Sequence, residues 1–340
     1  MNLTHVFGID MGSGSVKIYN RSTDSITKEM NMIAVRNHDT VFAFGNGAYD
    51  MFEKTPENIE MITPMSEGRI HDVQMMEAVL HLLLKKSSRF VGYAPVLFFS
   101  VPLDMTELER RAYVSIARKG RFRRSRVMFV EKPFADALAL GLPIHDAEGT
   151  MIVNIGAQCT EISLLAEGRI ILNRTIDIGG EKLNTAIISG VRRKNGLTVS
   201  QRTASRLMSL LVNVWKDPGK GCKVAGIDTD SGLPRDGVIS SYTVSSSVKE
   251  VVGEIADEIR KVLDRLPPQI QAALQKEEIW LSGGSARIPG LSECIEKMLG
   301  YPVEVSEYFE YTTIEGLKQV ADHQELRRYA FVPLKKRNRF

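Results

Sequence analysis

The two halves of the chain open with the same local pattern: a strand, a glycine-containing turn and a second strand. The first copy is FGIDMGSGSVKIY, residues 7–19, and the second is IVNIGAQCTEISLL, residues 152–165. A polar residue ends the first strand of each copy, Asp10 in one and Asn154 in the other. Such openings also recur by chance in α/β proteins, but the matched polar residues argue against chance. The repetition therefore predicts two copies of one α/β unit that face each other across a cleft.

Hydrophobic periodicity outlines the rest of the chain. Apolar residues at helical spacing predict helices, and short continuous apolar runs predict buried strands. The predicted helices are 72–86, one that opens at the capping-box pair Thr106 and Glu109, 133–140, 180–195, 200–215, 247–266 and 290–299. The Gly- and Asp-rich stretch 217–237 is predicted to hold loops and short strands.

The composition excludes several functional classes. The net charge of +3 on 340 residues is too small to indicate nucleic-acid binding. The three cysteines, Cys159, Cys222 and Cys294, form no CxxC pair, which argues against a zinc site or a disulfide framework and is typical of a reducing cytoplasm. The longest apolar run, 94–103, contains two prolines and is too short to span a bilayer. With no signal peptide, the protein is expected in the cytoplasm or on a membrane surface.

The two turns have the composition of phosphate-binding loops. Gly12, Ser13 and Gly14 allow the backbone N–H groups to approach an anion closely, and Gly156 with its successors can form the second such turn. Asp10 is placed to hold Mg²⁺ through water. Lys17 follows the first turn and is expected to contact a phosphate oxygen as a point charge. Alone, this turn is equally typical of an ordinary hairpin.

A third glycine-rich piece follows the strand predicted at 279–282. Its residues Gly283 and Gly284 let the backbone lie flat against a base or ribose, before a predicted helix. A strand-to-helix turn without a ligand is the alternative. Three pieces in this order indicate a nucleotide site more strongly than any one of them.

The first turn resembles the phosphate-binding loop of actin, and the remainder resembles the MreB family of rod-shape-determining bacterial actins. The resemblance rests on that turn and on the segments TPENIEMITPMSEGRIHDV, SVPLDMTELERRA, VEKPFADALALGLPI, TIDIGGEKLNTAIISGVRRKNGL, QRTASRL and LSGGSARIPGL, and it covers residue 8 to about residue 316 in the family's order. It implies an α/β actin-like ATPase fold, with two lobes of βββαβα type around a cleft that binds ATP and Mg²⁺. It also implies that Glu181 and Lys182 lie near the ribose and that Gly283, Gly284 and Ser285 face the nucleoside.

The resemblance also implies a division of the chain. Lobe I is expected at 1–145 with a small subdomain at about 31–66, and lobe II at 146–320 with a small subdomain at about 181–243. Residues 321–340 are expected to return to lobe I and end in a basic tail.

The sequence departs from the family at its hydrolytic positions. The family's Glu-Glu-Pro is Glu131-Lys132-Pro133 here, so a cation replaces the glutamate that orients the attacking water. A protonated lysine only donates hydrogen bonds, although it can pair with the γ-phosphate. The family's Asp-Ile-Gly-Gly-Gly-Thr becomes Asn154 to Cys159, with Ala157 and Gln158 at glycine positions. Hydrolysis is expected to be slow or absent. The alternatives are that Glu131 substitutes, or that the site is empty and the fold survives as a scaffold.

Two basic segments of the chain are candidates for contact with an anionic surface. The segment 118–126 carries six cations in nine residues, and the segment 326–340 interleaves cations with apolar side chains. Such mixtures suit an anionic membrane, and 89–93 resembles the hydrophobic membrane loop of some MreB proteins. A solvated face or a subunit contact is the alternative in each case, and it is favoured for 118–126. No recognised nucleic-acid module is present.

The resemblance implies a cytoskeletal protein that assembles into double protofilaments on the inner membrane face and organises wall synthesis. Its expected partners are further copies of itself, or a paralogous bacterial actin, together with the shape and wall-synthesis machinery. The rival hypotheses are a sugar or acetate kinase of the same superfamily, a chaperone-type ATPase and a non-polymerising regulator. Lys132 and Asn154 count against the kinase, because it needs a carboxylate base.

Overall fold

The computed structural model describes residues 5–37, 40–88, 94–145 and 148–333. The chain divides into two compact units: unit 1 contains residues 1–144 and 311–340, and unit 2 contains residues 145–310. Unit 2 is therefore inserted into unit 1 along the chain. The small subdomains within each lobe stay a prediction.

Within the part of unit 1 that the structure describes, the chain first forms ten strands and four helices. The strands are β1 (Val6–Met11), β2 (Ser15–Asn20), β3 (Ser25–Met30), β4 (Ile33–Arg36), β5 (Thr40–Phe44), β6 (Ile59–Ile62), β7 (Met65–Ser66), β8 (Arg69–Ile70), β9 (Val96–Val101) and β10 (Arg126–Glu131). The helices are α1 (Asn46–Met51), α2 (Val73–Ser87), α3 (Glu107–Ala117) and α4 (Lys132–Ala139).

Unit 2 is likewise built from strands and helices. Its strands are β11 (Thr150–Ile155), β12 (Thr160–Ala166), β13 (Arg169–Ile176), β14 (Leu197–Thr198), β15 (Gly221–Asp228), β16 (Pro234–Ser240), β17 (Ile279–Ser282) and β18 (Val303–Val305). Its helices are α5 (Gly180–Asn195), α6 (Gln201–Leu211), α7 (Ser241–Leu263), α8 (Pro268–Leu274) and α9 (Leu291–Leu299). The chain then returns to unit 1 as α10 (Thr312–Asp322) and β19 (Ala330–Phe331).

The main sheet of unit 1 has the strand order β19-β10-β9-β1-β2-β3. Strands β1, β9 and β10 run parallel, and β2 and β3 extend the sheet as antiparallel hairpins. Alternate residues of β1 face opposite sides. Phe7 and Ile9 enter the core formed with α2 and α3, whereas Gly8 faces Leu317 of α10 on the other side.

The main sheet of unit 2 has the order β13-β12-β11-β17-β18, with β11, β17 and β18 parallel. A second sheet, β14-β15-β16, lies beside α5 and α6. One hydrophobic core joins the strands of the main sheet to α5, α6, α7 and α9. Within the described residues, no helix combines the length and the apolarity needed to cross a bilayer.

Several element boundaries differ from the predictions. Helix α7 begins at 241 rather than 247, because Ser240 caps it by accepting a hydrogen bond from the Thr243 N–H, and Ser241, Ser245 and Ser247 are buried. Helix α6 ends at 211 rather than 215, and the Asn213 side chain accepts from two backbone N–H groups beyond that end. The stretch 217–237 contains loops, as predicted, but its two paired strands, β15 and β16, are long rather than short. The capping box of α3 at Thr106 and Glu109 is confirmed.

Candidate functional site

The candidate residues of unit 1 surround the turn between β1 and β2. Gly12, Ser13 and Gly14 lie in this turn, which is closed by a hydrogen bond from the Gly12 N–H to the carbonyl of Ser15, at 3.0 Å. The pairing of the two strands puts Asp10 directly opposite Lys17. Directly opposite side chains project from the same face, so both lie at the mouth of the turn.

Asn31 stabilises this turn by hydrogen bonds. The sequence alone did not indicate this role. Its backbone N–H donates to the carbonyl of Gly14 at 3.1 Å, and its side-chain Nδ2 donates to the carbonyl of Gly12 at 2.9 Å. Asn31 is 1% exposed. The Ser13 hydroxyl also has a partner, since it accepts from the Gly68 N–H at 3.0 Å. The shape of the turn therefore depends on residues that follow β3 and β7.

Asp10 is engaged at both oxygens of its carboxylate. The Lys17 ammonium donates to Oδ2 at 2.9 Å, and the Ser100 hydroxyl donates to Oδ1 at 2.7 Å. Asp10 and Lys17 are only 6% and 5% exposed. Burial raises the pKa of the Asp10 carboxyl, but the positive charges of Lys17 and Lys132 and the two hydrogen bonds outweigh burial and leave this pKa below its usual value. Asp10 is therefore buried and ionised, and the charge of its carboxylate is balanced by the Lys17 ammonium.

Lys132 and Glu131 act on different groups. Lys132, the first residue of α4, lies close enough to Asp10 for its positive charge to lower the pKa of that carboxyl. Glu131 is the last residue of β10 and pairs with Val101 of β9.

Glu131 instead faces α3. Burial raises the pKa of its carboxyl, and the positive charge of Arg110 in α3 partly opposes the rise. This arrangement disfavours the alternative that Glu131 replaces the missing glutamate.

The surroundings of Asp10 fit a divalent cation poorly. Magnesium is held by oxygen ligands, usually through water and one or two carboxylates. Here the Asp10 carboxylate already accepts hydrogen bonds at both oxygens, and two ammonium groups act on it. The assignment of Mg²⁺ to Asp10 stays a prediction, and the charges of these residues argue for an anion.

The hairpin of unit 2 repeats the turn of unit 1. The Gly156 N–H donates to the carbonyl of Cys159 at 2.9 Å, as Gly12 does to Ser15. Asn154 pairs directly with Glu161 across the hairpin, in the positions that Asp10 and Lys17 occupy in unit 1. Glu161 is 8% exposed and was missed by the sequence reasoning, although the internal repeat already aligns it with Lys17. Unit 2 therefore keeps a buried carboxylate on the same face as Asn154.

The glycine-rich pieces of unit 2 come together at the start of α5. The carbonyls of Gly156 and Ala157 accept the N–H groups of Gly180 and Glu181, at 3.0 and 2.8 Å. A Cβ at Gly179 would lie 2.7 Å from the backbone of Gln158, so glycine is required by the close approach.

Gly283 has a φ of 90°, and a Cβ at this position would lie even closer to the backbone of Ile155 than a Cβ at Gly179 would lie to Gln158. Ser285 lies near Gly180, with its hydroxyl 3.3 Å from the position of a Cβ there. Gly284 begins a single 3₁₀ turn at 284–287.

The two polar residues after Gly180 have partners within unit 2. Gln158 donates through Nε2 to both carboxylate oxygens of Glu181, at 3.0 and 3.1 Å. Lys182 forms an ion pair with Glu254 of α7, at 2.5 Å. Gln158 therefore engages the side chain that the family resemblance assigns to the ribose.

The basic segment 118–126 is a folded turn. Phe122 and Ser125 are buried in it, the Arg118 Nε donates to the carbonyl of Ser125, and Lys119 pairs with Glu77 of α2. The proposed membrane loop at 89–93 and the end of the basic tail at 334–340 lie outside the described residues.

Comparison with solved structures defines the class of fold. MreB5 of Spiroplasma citri bound to ADP superposes with a TM-score of 0.89 at 24% identity, over 96% of this chain and 98% of that one. A MamK double helical filament gives a TM-score of 0.77 at 16% identity, over 94% of this chain and 99% of that one. The predicted actin-like fold is confirmed.

Comparison of sequences defines the family. The family model described as MreB/Mbl protein matches residues 4–328. The chain belongs to the MreB/Mbl family. It is 29% identical over 307 residues to the cell shape-determining protein MreB of Escherichia coli K12, covering 88% of each. It is also 29% identical over 303 residues to the cell shape-determining protein Mbl of Bacillus subtilis 168, covering 88% of this chain and 90% of the relative.

Proposed function

We propose that this chain is a filament-forming, nucleotide-binding bacterial actin that contributes to cell-shape determination, and that it hydrolyses ATP slowly or not at all. The family relatives named as cell shape-determining proteins support the first part. The solved relatives of the same fold include one bound to ADP, one bound to AMPPNP and a double helical filament.

The position of Lys132 carries the proposal of impaired hydrolysis. The attacking water in phosphoryl transfer needs a hydrogen-bond acceptor that aligns it with the γ-phosphate. Lys132 lies close enough to Asp10 for its charge to act on that carboxyl and offers only donors, while the charge of Arg110 acts on Glu131. Asn154 adds a second loss of charge at the hairpin of unit 2.

The test combines pelleting with phosphate release. Purified protein is sedimented with ATP, with ADP and without nucleotide, while released phosphate is measured. We expect nucleotide-dependent pelleting with phosphate release near the background rate. The double variant Lys132→Glu with Asn154→Asp should release phosphate faster, by about 10-fold or more, because it restores both carboxylates.

The matched control is Lys132→Arg, which keeps the cation and should stay as slow as the wild type. A wild type that releases phosphate as fast as the double variant refutes the account of hydrolysis. A protein that binds ATP but pellets only when mixed with a second bacterial actin is a co-assembling regulator instead.

The proposal extends to location and partners. We place the filament at the inner face of the cell membrane, with the shape and wall-synthesis machinery as its partners. The interleaved cations and aromatic residues of the C-terminal segment support contact with an anionic surface. Sedimentation with vesicles that contain anionic lipid, compared with neutral vesicles, tests this contact. Equal recovery with both kinds of vesicle contradicts it.

A further inference from the structure

Helix α2 has two faces with different surroundings. One face carries apolar residues such as Val79 and Leu83, which are buried in the core of unit 1. The other face lines a pocket at the surface of the same unit. Its residues follow the helical spacing i, i+3, i+4 and i+7, namely Ala78, His81, Leu82 and Lys85. Core packing therefore accounts for the first face and leaves the second face open to a ligand.

The pocket is large enough for a small molecule. Its volume is about 550 Å³, and small-molecule sites usually have volumes of about 300–1,000 Å³. The turn of the basic segment 118–126 supplies Gly120, Arg121 and Phe122 to the wall, and β5 supplies Val41. Three separate elements of unit 1 thus build the wall.

Ring packing and a hydrogen bond fix the wall in place. Phe122 is 2% exposed, and its ring meets the ring of His81 edge to face, with the two centroids 5.2 Å apart. The His81 Nε2 donates to the carbonyl oxygen of Ile116 in α3, at 2.8 Å. These contacts hold α2, α3 and the turn together around the pocket.

The charged residues of the wall have one sign. Lys85 of α2 and Arg121 of the turn are both exposed. Within the part of the chain that the structure describes, no carboxylate lines the pocket and neither cation has an ion-pair partner. Glu77 of α2 forms an ion pair with Lys119 at 2.6 Å, so its charge is already balanced. Lys85 and Arg121 are therefore available to an anion.

Apolar walls with cations beside them select a ligand that combines a hydrocarbon chain with an anionic head. A chain dissolved in water gains free energy when the pocket removes it from water. A chain in a bilayer is already out of water, so the pocket offers it no such gain. The pocket therefore favours a free amphiphile over a bilayer lipid.

We propose that this pocket binds a free anionic amphiphile with a single hydrocarbon chain, of the fatty-acid class. The chain packs against Leu82, Phe122 and Val41, and the carboxylate lies near Lys85 and Arg121. Every residue of this site lies outside the phosphate turns, so the inference does not depend on nucleotide binding.

Calorimetric titration of the full chain with dodecanoate, kept below the concentration at which it forms micelles, tests the inference. We expect one dodecanoate to bind per chain. Dodecyltrimethylammonium has the same chain and a cationic head, and it should bind at least about 10-fold more weakly because Lys85 and Arg121 repel it. Arg121→Glu should raise the Kd for dodecanoate by about fivefold to tenfold, since it replaces an exposed attraction by a repulsion.

Arg123→Glu is the matched control, because Arg123 is exposed in the same turn and does not line the pocket. It should bind dodecanoate within about twofold of the wild type, since its charge lies outside the site. Ala78→Trp fills the pocket and keeps both cations, and it should raise the Kd by at least about 10-fold. An unchanged denaturation midpoint shows that each variant is folded.

Four results overturn the inference and leave the proposed function standing. The first is equal affinity for the two amphiphiles, which indicates an unspecific apolar surface. The second is an equal loss of affinity in Arg121→Glu and Arg123→Glu, which indicates diffuse charge. The third is binding to vesicles of anionic lipid with no binding of dissolved dodecanoate. The fourth is binding of dodecanoate only after residues 89–93 are replaced by glycine and serine, since that segment of the chain is then the occupant.

Discussion

A glycine substitution at the contact between α4 and α10 should destabilise the protein, although helix propensity alone predicts a gain in stability. Gly316 lies within α10, and a Cβ at this position would be 1.8 Å from the carbonyl oxygen of Ala135 in α4. The helices would have to separate by roughly 1.5 Å to restore an ordinary contact. Gly253 lies within α7 and has nothing within 4 Å of such a Cβ. The two positions therefore form a matched pair.

The expected changes in the free energy of unfolding have opposite signs. Replacing glycine by alanine inside a helix gains about 1 kcal/mol from propensity, so Gly253→Ala should be stabilised by about that amount. Overpacking costs about 1–3 kcal/mol, and its upper end applies at Gly316 because the obstacle is backbone that cannot rotate away. Gly316→Ala should therefore lose about 2 kcal/mol net.

Urea unfolding of both variants measures the difference, provided that the slope against denaturant stays constant. A Gly316→Ala protein as stable as the wild type, or more stable, refutes the close packing of α4 on α10. Nucleotide affinity is a second readout. Because Lys132 is the first residue of α4, displacement of the helix should weaken ATP binding in Gly316→Ala and leave Gly253→Ala unchanged.

Two further predictions follow from one buried and one half-buried polar residue of unit 1. Asn31→Ala should lower the free energy of unfolding by about 1 kcal/mol and raise the Kd for ATP, because the Gly12 carbonyl loses its donor. Asn58→Ala, at an exposed position, is its control, and equal ATP affinity in both variants contradicts the role of Asn31. Glu131→Gln should be more stable than the wild type at pH 7, by less than about 1 kcal/mol, because burial raises the pKa of this carboxyl and so penalises its charged form. The wild type regains that stability as the carboxyl is protonated, so the difference in denaturation midpoint should shrink between pH 7 and pH 4; a difference that grows on acidification rules this out.

Local patterns were enough to predict the hairpins and the start of α4. Glycines between two apolar strands specify a turn in either half, and Pro133 at the first turn of a helix marks its beginning. The family resemblance then fixed the fold, because the matching segments are spread over most of the chain. The boundaries that failed, at α6 and α7, depend on capping by serine and asparagine side chains.

The site residues that sequence patterns did not predict act through tertiary contacts. Asn31 belongs to the connection after β3, and nothing local indicates that it reaches Gly12. The different surroundings of Glu131 and Lys132 arise because β10 ends at Glu131 and α4 begins at Lys132. Glu161 belongs to no recognised motif, and its place in the site follows from its pairing with Asn154 across the hairpin.

The insertion of unit 2 into unit 1 bears on how the protein is made. A ribosome that has reached residue 310 has supplied all of unit 2, but unit 1 still lacks α10 and β19. Until then the side of β1 that carries Gly8 has no covering helix, and β10 is the open edge of the sheet. The second unit is therefore complete along the chain before the first, and in that interval the exposed apolar surface and the open strand edge of the first unit are prone to misfolding.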